Sequence, residues 1–244
     1  MIPHKKLTLD LTRMGRVFVV SDIHGCLDIL LETLASVKFD VRHDVLIING
    51  DLIDRGSQSF ETLSWYSKAN SEGWCYATLG NHEHMLIQAH DNWSDYSYTY
   101  LANGGVWFKD LQKADRQHCY NICKTLHSCI EVTLKNGKHM IVHAQYNKGF
   151  FVGDYDPEND SYEDYEEQLA HAVWARTSAT CAKKNYVLAQ HTNPDYTSIV
   201  HGHTPHTSPV VCENLYFIDT GVVYGNGKYF KMLELNTLQF TRGR

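Results

Sequence analysis

The stretch RVFVVSDIHGCLDILLETLASV, from Arg16 to Val37, decides how the chain is read. Val17–Val20 is a short apolar run rich in β-branched residues, the pattern of a buried strand. It stops abruptly at Ser21-Asp22-Ile23-His24-Gly25, after which Leu27, Leu30, Leu31 and Leu34 follow at helical spacing. A strand, a polar turn holding a carboxylate and an imidazole, and an amphipathic helix thus follow one another without a linker.

The same punctuation recurs outward from there. Val45–Ile48 runs into Asn49-Gly50-Asp51, Tyr76–Leu79 into Gly80-Asn81-His82-Glu83, Met140–Val142 into His143, and Ser198–Val200 into His201-Gly202-His203. Between the second and third runs, Phe60, Leu63 and Tyr66 mark another helix over Ser59–Ala69. Asp22, Asp51 and Asn81 lie 29 and 30 residues apart, close to the length of one βαβ unit. The first third therefore predicts βαβαβ with parallel strands and right-handed crossovers. Helical material follows to about Leu126. Asn136-Gly137 predicts a hairpin between Ile130–Leu134 and Lys138–Val142, and Tyr224–Gly227 a second between Leu215–Asp219 and Lys228–Leu235. The expected class is α/β, with mixed sheets packed face to face and helices outside, in a single domain over 1–244.

Length and charge narrow the function. At 244 residues the chain suits one large domain. Its 22 Lys+Arg against 28 Asp+Glu leave a formal charge of −6, which argues against a nucleic-acid binder. Asp22 and His24 interrupt the first apolar run, so neither a membrane span nor a signal peptide is expected, and the chain reads as cytoplasmic. The seven cysteines contain no C-x-x-C pair and read as reduced thiols. Glu213–Phe217 resembles the front of a protease-cleavage tag but lies in a strand-like run and reads as native.

In open α/β sheets, ligands bind at the carboxyl ends of strands. Here those ends deliver Asp22, His24, Asp51, Asn81, His143 and His203. Asp22 and His24 are two apart, so on an extended segment both would point to one face. Two carboxylates, an amide and three imidazoles suit first-row divalent metals, with too much nitrogen for Ca²⁺ or Mg²⁺. Six ligands exceed one tetrahedral ion, and two ions sharing a carboxylate would use them all. Taken singly, each Asp could cap a helix and each His could satisfy a core hydrogen bond; their joint placement at successive strand ends argues otherwise. Arg55 and Arg176 are candidate guanidinium partners for phosphate. No Cys-x5-Arg loop, no G-x-x-x-x-G-K-[ST], no H-E-x-x-H and no G-x-S-x-G is present, which leaves metal-bound water as the expected nucleophile.

Asp22-Ile23-His24-Gly25, Gly50-Asp51-Leu52-Ile53-Asp54-Arg55-Gly56 and Gly80-Asn81-His82-Glu83 resemble the three signature motifs of the phosphoprotein phosphatase superfamily, in order and at its spacing. His143-Ala144 and Gly202-His203-Thr204-Pro205 resemble its two downstream histidine motifs. Asn103–Phe108 and Ile218–Gly221 resemble segments of its small bacterial and phage branch, typified by the lambda-phage protein phosphatase.

The resemblance implies a metallophosphoesterase-type β-sandwich flanked by helices. It assigns Asp22, His24 and Asp51 to one metal, and Asp51, Asn81, His143 and His203 to another, with Asp51 bridging. His82 would be the general acid, oriented by Asp54, while Arg55, Asn81 and Arg176 would grip the phosphoryl oxygens. Two divalent ions are implied, Mn²⁺ foremost, with Fe, Zn, Ni or Co as other candidates. The implied substrates are proteins phosphorylated on serine or threonine, with phosphotyrosine as an extension, attacked directly by a hydroxide bridging the metals. Two competing readings stand beside this one. The first is a dinucleoside polyphosphate hydrolase, a group that tends to have Asp where Glu83 stands. The second is a non-catalytic binding module. Gln145 and His201 depart from the branch's pattern without removing a ligand.

Asp154–Glu167 holds eight acidic residues in fourteen. It reads as a solvated loop or, more sharply, as an acidic flap that screens substrates by charge. As a flap, its deletion should change discrimination between acidic and basic phosphopeptides; unchanged selectivity would remove the idea.

Overall fold

Strands β2 (Val17–Ser21), β3 (Val45–Asn49) and β4 (Cys75–Ala77) pair in parallel through helices α1 (Leu27–Ser36) and α2 (Ser59–Ser71), the expected βαβαβ arrangement. The computed structural model describes residues 6–148, 162–184 and 186–241. Alternation within these strands explains their unbroken apolar runs. Val17, Val19, Val45 and Ile47 enter the core between two sheets, while Phe18, Val20, Leu46 and Ile48 face a second core under the helices. Both faces are buried, so no polar position interrupts the strands. Leu27, Leu30 and Leu34 of α1, and Leu63, Tyr66 and Ala69 of α2, close the outer core. Each of these leucines contributes roughly 1.5–3 kcal/mol on burial.

Two sheets stack. One has six strands in the order β1-β5-β6-β7-β9-β8 and the other five in the order β11-β10-β2-β3-β4. The additional strands are β1 (Lys6–Asp10), β5 (Cys129–Leu134), β6 (Gly137–Val142), β7 (Ser198–His201), β8 (Val210–Cys212), β9 (Leu215–Phe217), β10 (Leu233–Glu234) and β11 (Gln239–Phe240). Helices α3 (Asn81–Asp91), α4 (Trp93–Ala102), α5 (Val106–Lys109) and α6 (Lys113–Cys123) form the expected helical stretch, and α7 (Tyr162–Trp174) and α8 (Thr177–Lys183) come later. Residues 154–161 of the acidic stretch lie outside the described residues, and its last six positions open α7. None of the seven cysteines is bridged, and no helix among the described residues is long and apolar enough to cross a membrane.

The first hairpin forms with its register one residue off. Leu134 pairs Gly137, so the turn is Lys135-Asn136. The second expected hairpin does not form. β9 pairs with β7 and β8 in the six-stranded sheet, whereas β10 pairs with β2 in the other. Ile218 and Leu233 both enter the inter-sheet core, so the segment between them must cross from one sheet to the other, and it carries Asp219 past the strand ends. Leu215 and Phe217 are fully buried in β9, which makes Glu213–Phe217 integral to the fold.

Asp44 ties the entry of β2 to that of β3. Its carboxylate accepts from the Arg16 backbone N–H at 3.1 Å, Arg16 Nε at 3.2 Å and the Asp40 N–H at 3.0 Å. Burial pushes its carboxyl up, but the Arg16 bonds more than offset this and the pKa falls below the ordinary 3.8. A depressed carboxylate pKa stabilises the fold above its unfolded value and loses that effect as pH falls through its folded value. Asp44→Asn should therefore cost about 1–2 kcal/mol at pH 7, a figure held down by solvent at half-exposed Arg16. Urea denaturation should show the gap closing below about pH 4; a pH-independent gap would contradict the assignment.

Candidate metal centre

The site lies where the two sheets meet at the carboxyl ends of β2, β3, β6 and β7, and Asn49 joins them there. Its side-chain amide donates to Val142 O at 3.1 Å and Val200 O at 3.3 Å, and its oxygen accepts from Thr78 Oγ1 at 2.8 Å. The last residue of β3 is thereby bonded to two strands of the opposite sheet. Its own carbonyl accepts from His143 Nδ1 at 2.8 Å, which leaves His143 Nε2 facing the site. Nothing in the sequence pattern marked Asn49 beyond its place before Gly50.

Asp51 is the hub. One of its oxygens lies 3.6 Å from His24 Nε2 and 3.9 Å from His82 Nε2, and the other lies 3.4 Å from His143 Nε2. Two groups that could hold a metal result, His24/Asp51/His82 and Asp51/His143/His203, and they share Asp51. Backbone carbonyls orient the imidazoles: Ile53 O lies 2.8 Å from His24 Nδ1, and Trp174 O lies 3.1 Å from His203 Nε2. Such bonds turn the opposite ring nitrogen towards the site. Asp22 accepts from the His203 N–H at 3.0 Å, and Asn81 Oδ1 lies 3.2 Å from His143 Nε2. Four of the six sequence-proposed ligands, His24, Asp51, His143 and His203, fall in these two groups, with His82 where Asp22 was expected; Asp22 and Asn81 lie beside them.

Asp22 and His24 share the site without sharing a strand face. They are not on an extended segment: Asp22 has φ +52° and His24 φ +47°, and Asp51, Asp54, Arg55 and His203 are also left-handed. L-residues rarely adopt this region, and its concentration here is strain held by the surrounding fold. Gly50 and Gly202 are needed for closeness. A Cβ on Gly50 would strike the His143 ring, and one on Gly202 would strike Ser21 and Asp22.

The donor set fits divalent cations. Asp22, Asp51 and Asp219 are almost wholly buried within reach of one another's charge. Burial first, then the neighbouring Asp219, drives the Asp22 carboxyl well above its ordinary value, and burial pushes Asp219 up to about 6. Burial opposes the Asp51 charge too, but the facing imidazoles hold that carboxyl well below its ordinary value. Burial lowers His24 and His203 to about 3, leaving them neutral and ready to ligate. His82 Nε2 is buried and has no hydrogen-bond partner. Crowded carboxylates, neutral imidazoles and an orphaned ring nitrogen describe a place that a cation would satisfy.

His82 rests on Asp54 through Nδ1 at 2.7 Å, and Asp54 accepts in turn from Trp107 Nε1 at 2.6 Å and Tyr100 Oη at 3.2 Å. Burial disfavours the His82 cation, but the Asp51 charge and the Asp54 bond outweigh it and raise the pKa. The guanidiniums flank the site. Arg55 Nη1 contacts His24 Nε2, and Arg176 Nη1 donates to His203 O at 3.0 Å and Thr204 Oγ1 at 3.1 Å. The two departures from the expected pattern are structural. Gln145 Oε1 accepts from the Ser178 N–H at 3.0 Å, anchoring α8 beside Arg176. His201 stacks on Phe217 and accepts from the Tyr146 N–H at 3.1 Å.

Glu83 does more than its motif suggested. Its fully buried carboxylate accepts from four backbone N–H groups: Leu52 at 2.8 Å, Asp51 and Gly80 at 3.0 Å, and Ile53 at 3.3 Å. It locks the Asp51 loop to the start of α3, although burial, then Asp51, push its carboxyl up to about 7. Glu83→Gln turns an N–H₂ towards two of those donors and should cost about 2–4 kcal/mol. A chemical denaturation curve matching wild type would refute this.

A buried carboxylate–imidazole cluster shared by two ligand groups, at the strand ends of a two-sheet α/β sandwich, defines a metal-dependent phosphoesterase. Residues 15–225 match the calcineurin-like phosphoesterase family, and the chain belongs to it. The chain is 32% identical over 212 residues to serine/threonine-protein phosphatase 1 of Salmonella typhimurium, covering 86% of this chain and 88% of that protein. It is 31% identical over 238 residues to serine/threonine-protein phosphatase 2 of the same organism, covering 95% and 99%. A crystal structure described as a putative diadenosine tetraphosphatase superposes with a TM-score of 0.63 at 18% identity, covering 98% of this chain and 96% of that one. That likeness bears out the expected sandwich.

Proposed function

We propose that the chain removes phosphate from phosphoserine and phosphothreonine in proteins, and from phosphotyrosine as a further substrate, with two divalent ions, Mn²⁺ foremost. The observation that carries this is Asp51, whose two oxygens face separate ligand groups while His82 stands beside it on Asp54. Asp22, His24 and Asp51 would hold one ion, and Asp51, Asn81, His143 and His203 the other. When bound, such ions neutralise phosphate charge and bring the pKa of a water towards neutrality.

The chain's own groups do the rest. Arg55, Asn81 and Arg176 hold the phosphoryl oxygens, and positioning of this kind is the protein's main contribution to phosphoryl transfer. His82 delivers a proton from Nε2 to the departing oxygen, while Asp54 fixes the ring through Nδ1. Trp107 and Tyr100 keep Asp54 in place.

Likeness along nearly the whole chain to two serine/threonine-protein phosphatases supports the protein substrate, as does Glu83 in place of Asp. Purified protein with Mn²⁺ should turn over a phosphoserine peptide faster than a dinucleoside tetraphosphate. The reverse order would establish the polyphosphate hydrolase, and no turnover of either the binding module.

A further inference from the structure

A pocket of about 200 Å³, several times the ~30 Å³ share of a water molecule, is lined in part by Thr220, the residue after Asp219. Its lining includes Thr207, Ser208, Thr220, Asn226, Lys228 and Lys231, and no carboxylate lines it. In a chain of net charge −6, a hollow lined by two lysines, three hydroxyl-bearing residues, an asparagine and Tyr229, with no acidic residue, is a local reversal of sign. Lys228 is exposed and Lys231 half-buried, and among the described residues the lysine and arginine ion pairs involve other side chains. Lys228 Nζ lies 5.3 Å from the centroid of the Tyr229 ring, and among the described residues neither lysine has a carboxylate partner to neutralise its charge.

The pocket is built from the two segments that frame the metal centre. Thr207 and Ser208 follow His203 by four and five residues, and Thr220 follows Asp219 directly. The loop continues through Tyr224, whose ring centroid lies 5.5 Å from the Arg55 guanidinium carbon, before reaching Asn226 and Lys228. A substrate held by Arg55 would meet this loop next.

We propose that the pocket binds a second phosphate group, carried on the same peptide as the one being hydrolysed. This inference rests on the phosphatase reading above and names a substrate class within it. Six donor-bearing side chains exceed what the two oxygens of a carboxylate use, whereas a phosphate dianion presents three strong acceptor oxygens. The nearly buried Asp219 carboxylate stands in the chain between site and pocket, so a continuous polyphosphate would pass a like charge. A peptide spans the same interval with a neutral backbone, at ~3.3 Å per residue.

Three phosphomonoester substrates, adenosine tetraphosphate and two variants test this. With Mn²⁺, the Lys228→Ala/Lys231→Ala protein should show KM raised about tenfold on a peptide with two phosphoserines. On the singly phosphorylated peptide and on p-nitrophenyl phosphate, KM should stay within about twofold, and Lys228→Arg/Lys231→Arg should recover most of the loss. Equal KM changes on all three substrates, or none, would overturn the proposal. A loss confined to adenosine tetraphosphate would overturn the peptide assignment.

Calorimetric titration of the metal-free protein with a non-hydrolysable doubly phosphonated peptide decides the pocket without turnover. Binding should weaken about tenfold in the alanine variant, and equal binding, or none by wild type, sinks the pocket. Absence of turnover by wild type on every substrate would count against the phosphatase reading alone.

Discussion

His82→Asn should lower kcat on alkyl phosphates by about 10²–10⁴ while leaving p-nitrophenyl phosphate nearly untouched. An alkoxide leaves poorly without a proton, whereas nitrophenolate needs none, so the loss must track leaving-group pKa. The geometry supports that division, because His82 Nδ1 is taken by Asp54 and Nε2 alone is free to donate. The sign of the pH response follows from the raised pKa. The ring keeps its proton to a higher pH than an ordinary imidazole, and the acid is lost as pH rises through the raised pKa. Wild type should therefore lose rate on the alkaline side, and the variant should lack that limb. Equal losses on both substrate types would reassign His82 to metal binding, the role its place in the first ligand group also permits.

Asp51→Asn should have the largest effect of all, a fall in kcat of about 10³ or more, since several kcal/mol of charge stabilisation depend on the ions. Metal content measured by plasma emission should drop from two ions per chain to at most one. Proton release gives a readout independent of turnover. Burial opposes the His143 cation, but Asp51 overrides it and raises the pKa to about 10. At pH 7 the metal-free ring is charged, a ligand must be neutral, and metal binding therefore expels a proton. Calorimetry in buffers of different ionisation enthalpy should detect that proton in wild type, with affinity rising with pH up to about 10. In Asp51→Asn the carboxylate holding the proton is gone, and the release should shrink. Unchanged metal content would remove Asp51 as the shared ligand.

Much of this molecule is local and therefore legible in one dimension. Val17–Val20 and Val45–Ile48 are apolar at every position because both faces of the sheet are covered, and Leu27, Leu30 and Leu34 repeat at the period of a helix face. The βαβαβ unit and the residues at its strand ends follow from such periods alone. The hairpin expected near Tyr224 does not form. A turn signal records that the chain bends, and the inter-sheet core decides which sheet the next strand joins.

By itself the sequence determined the strand–turn–helix order, the chemical types of the candidate ligands and their place at strand ends, since each depends on neighbours within a few positions. Only the tertiary structure decided that His143 and His203 from one sheet face Asp51 from the other, because stacking the sheets and bonding Asn49 to Val142 and Val200 act between residues about 90 to 150 positions apart. It also decided that Asp22, His24, Asp51 and His203 aim their side chains from left-handed backbone, a conformation no residue pattern announces and which the packed fold must impose. Asn49, Glu83, Trp107 and Asp219 became visible for the same reason. Their partners are backbone groups, a second carboxylate or a distant side chain, brought near only when the two sheets close on one another.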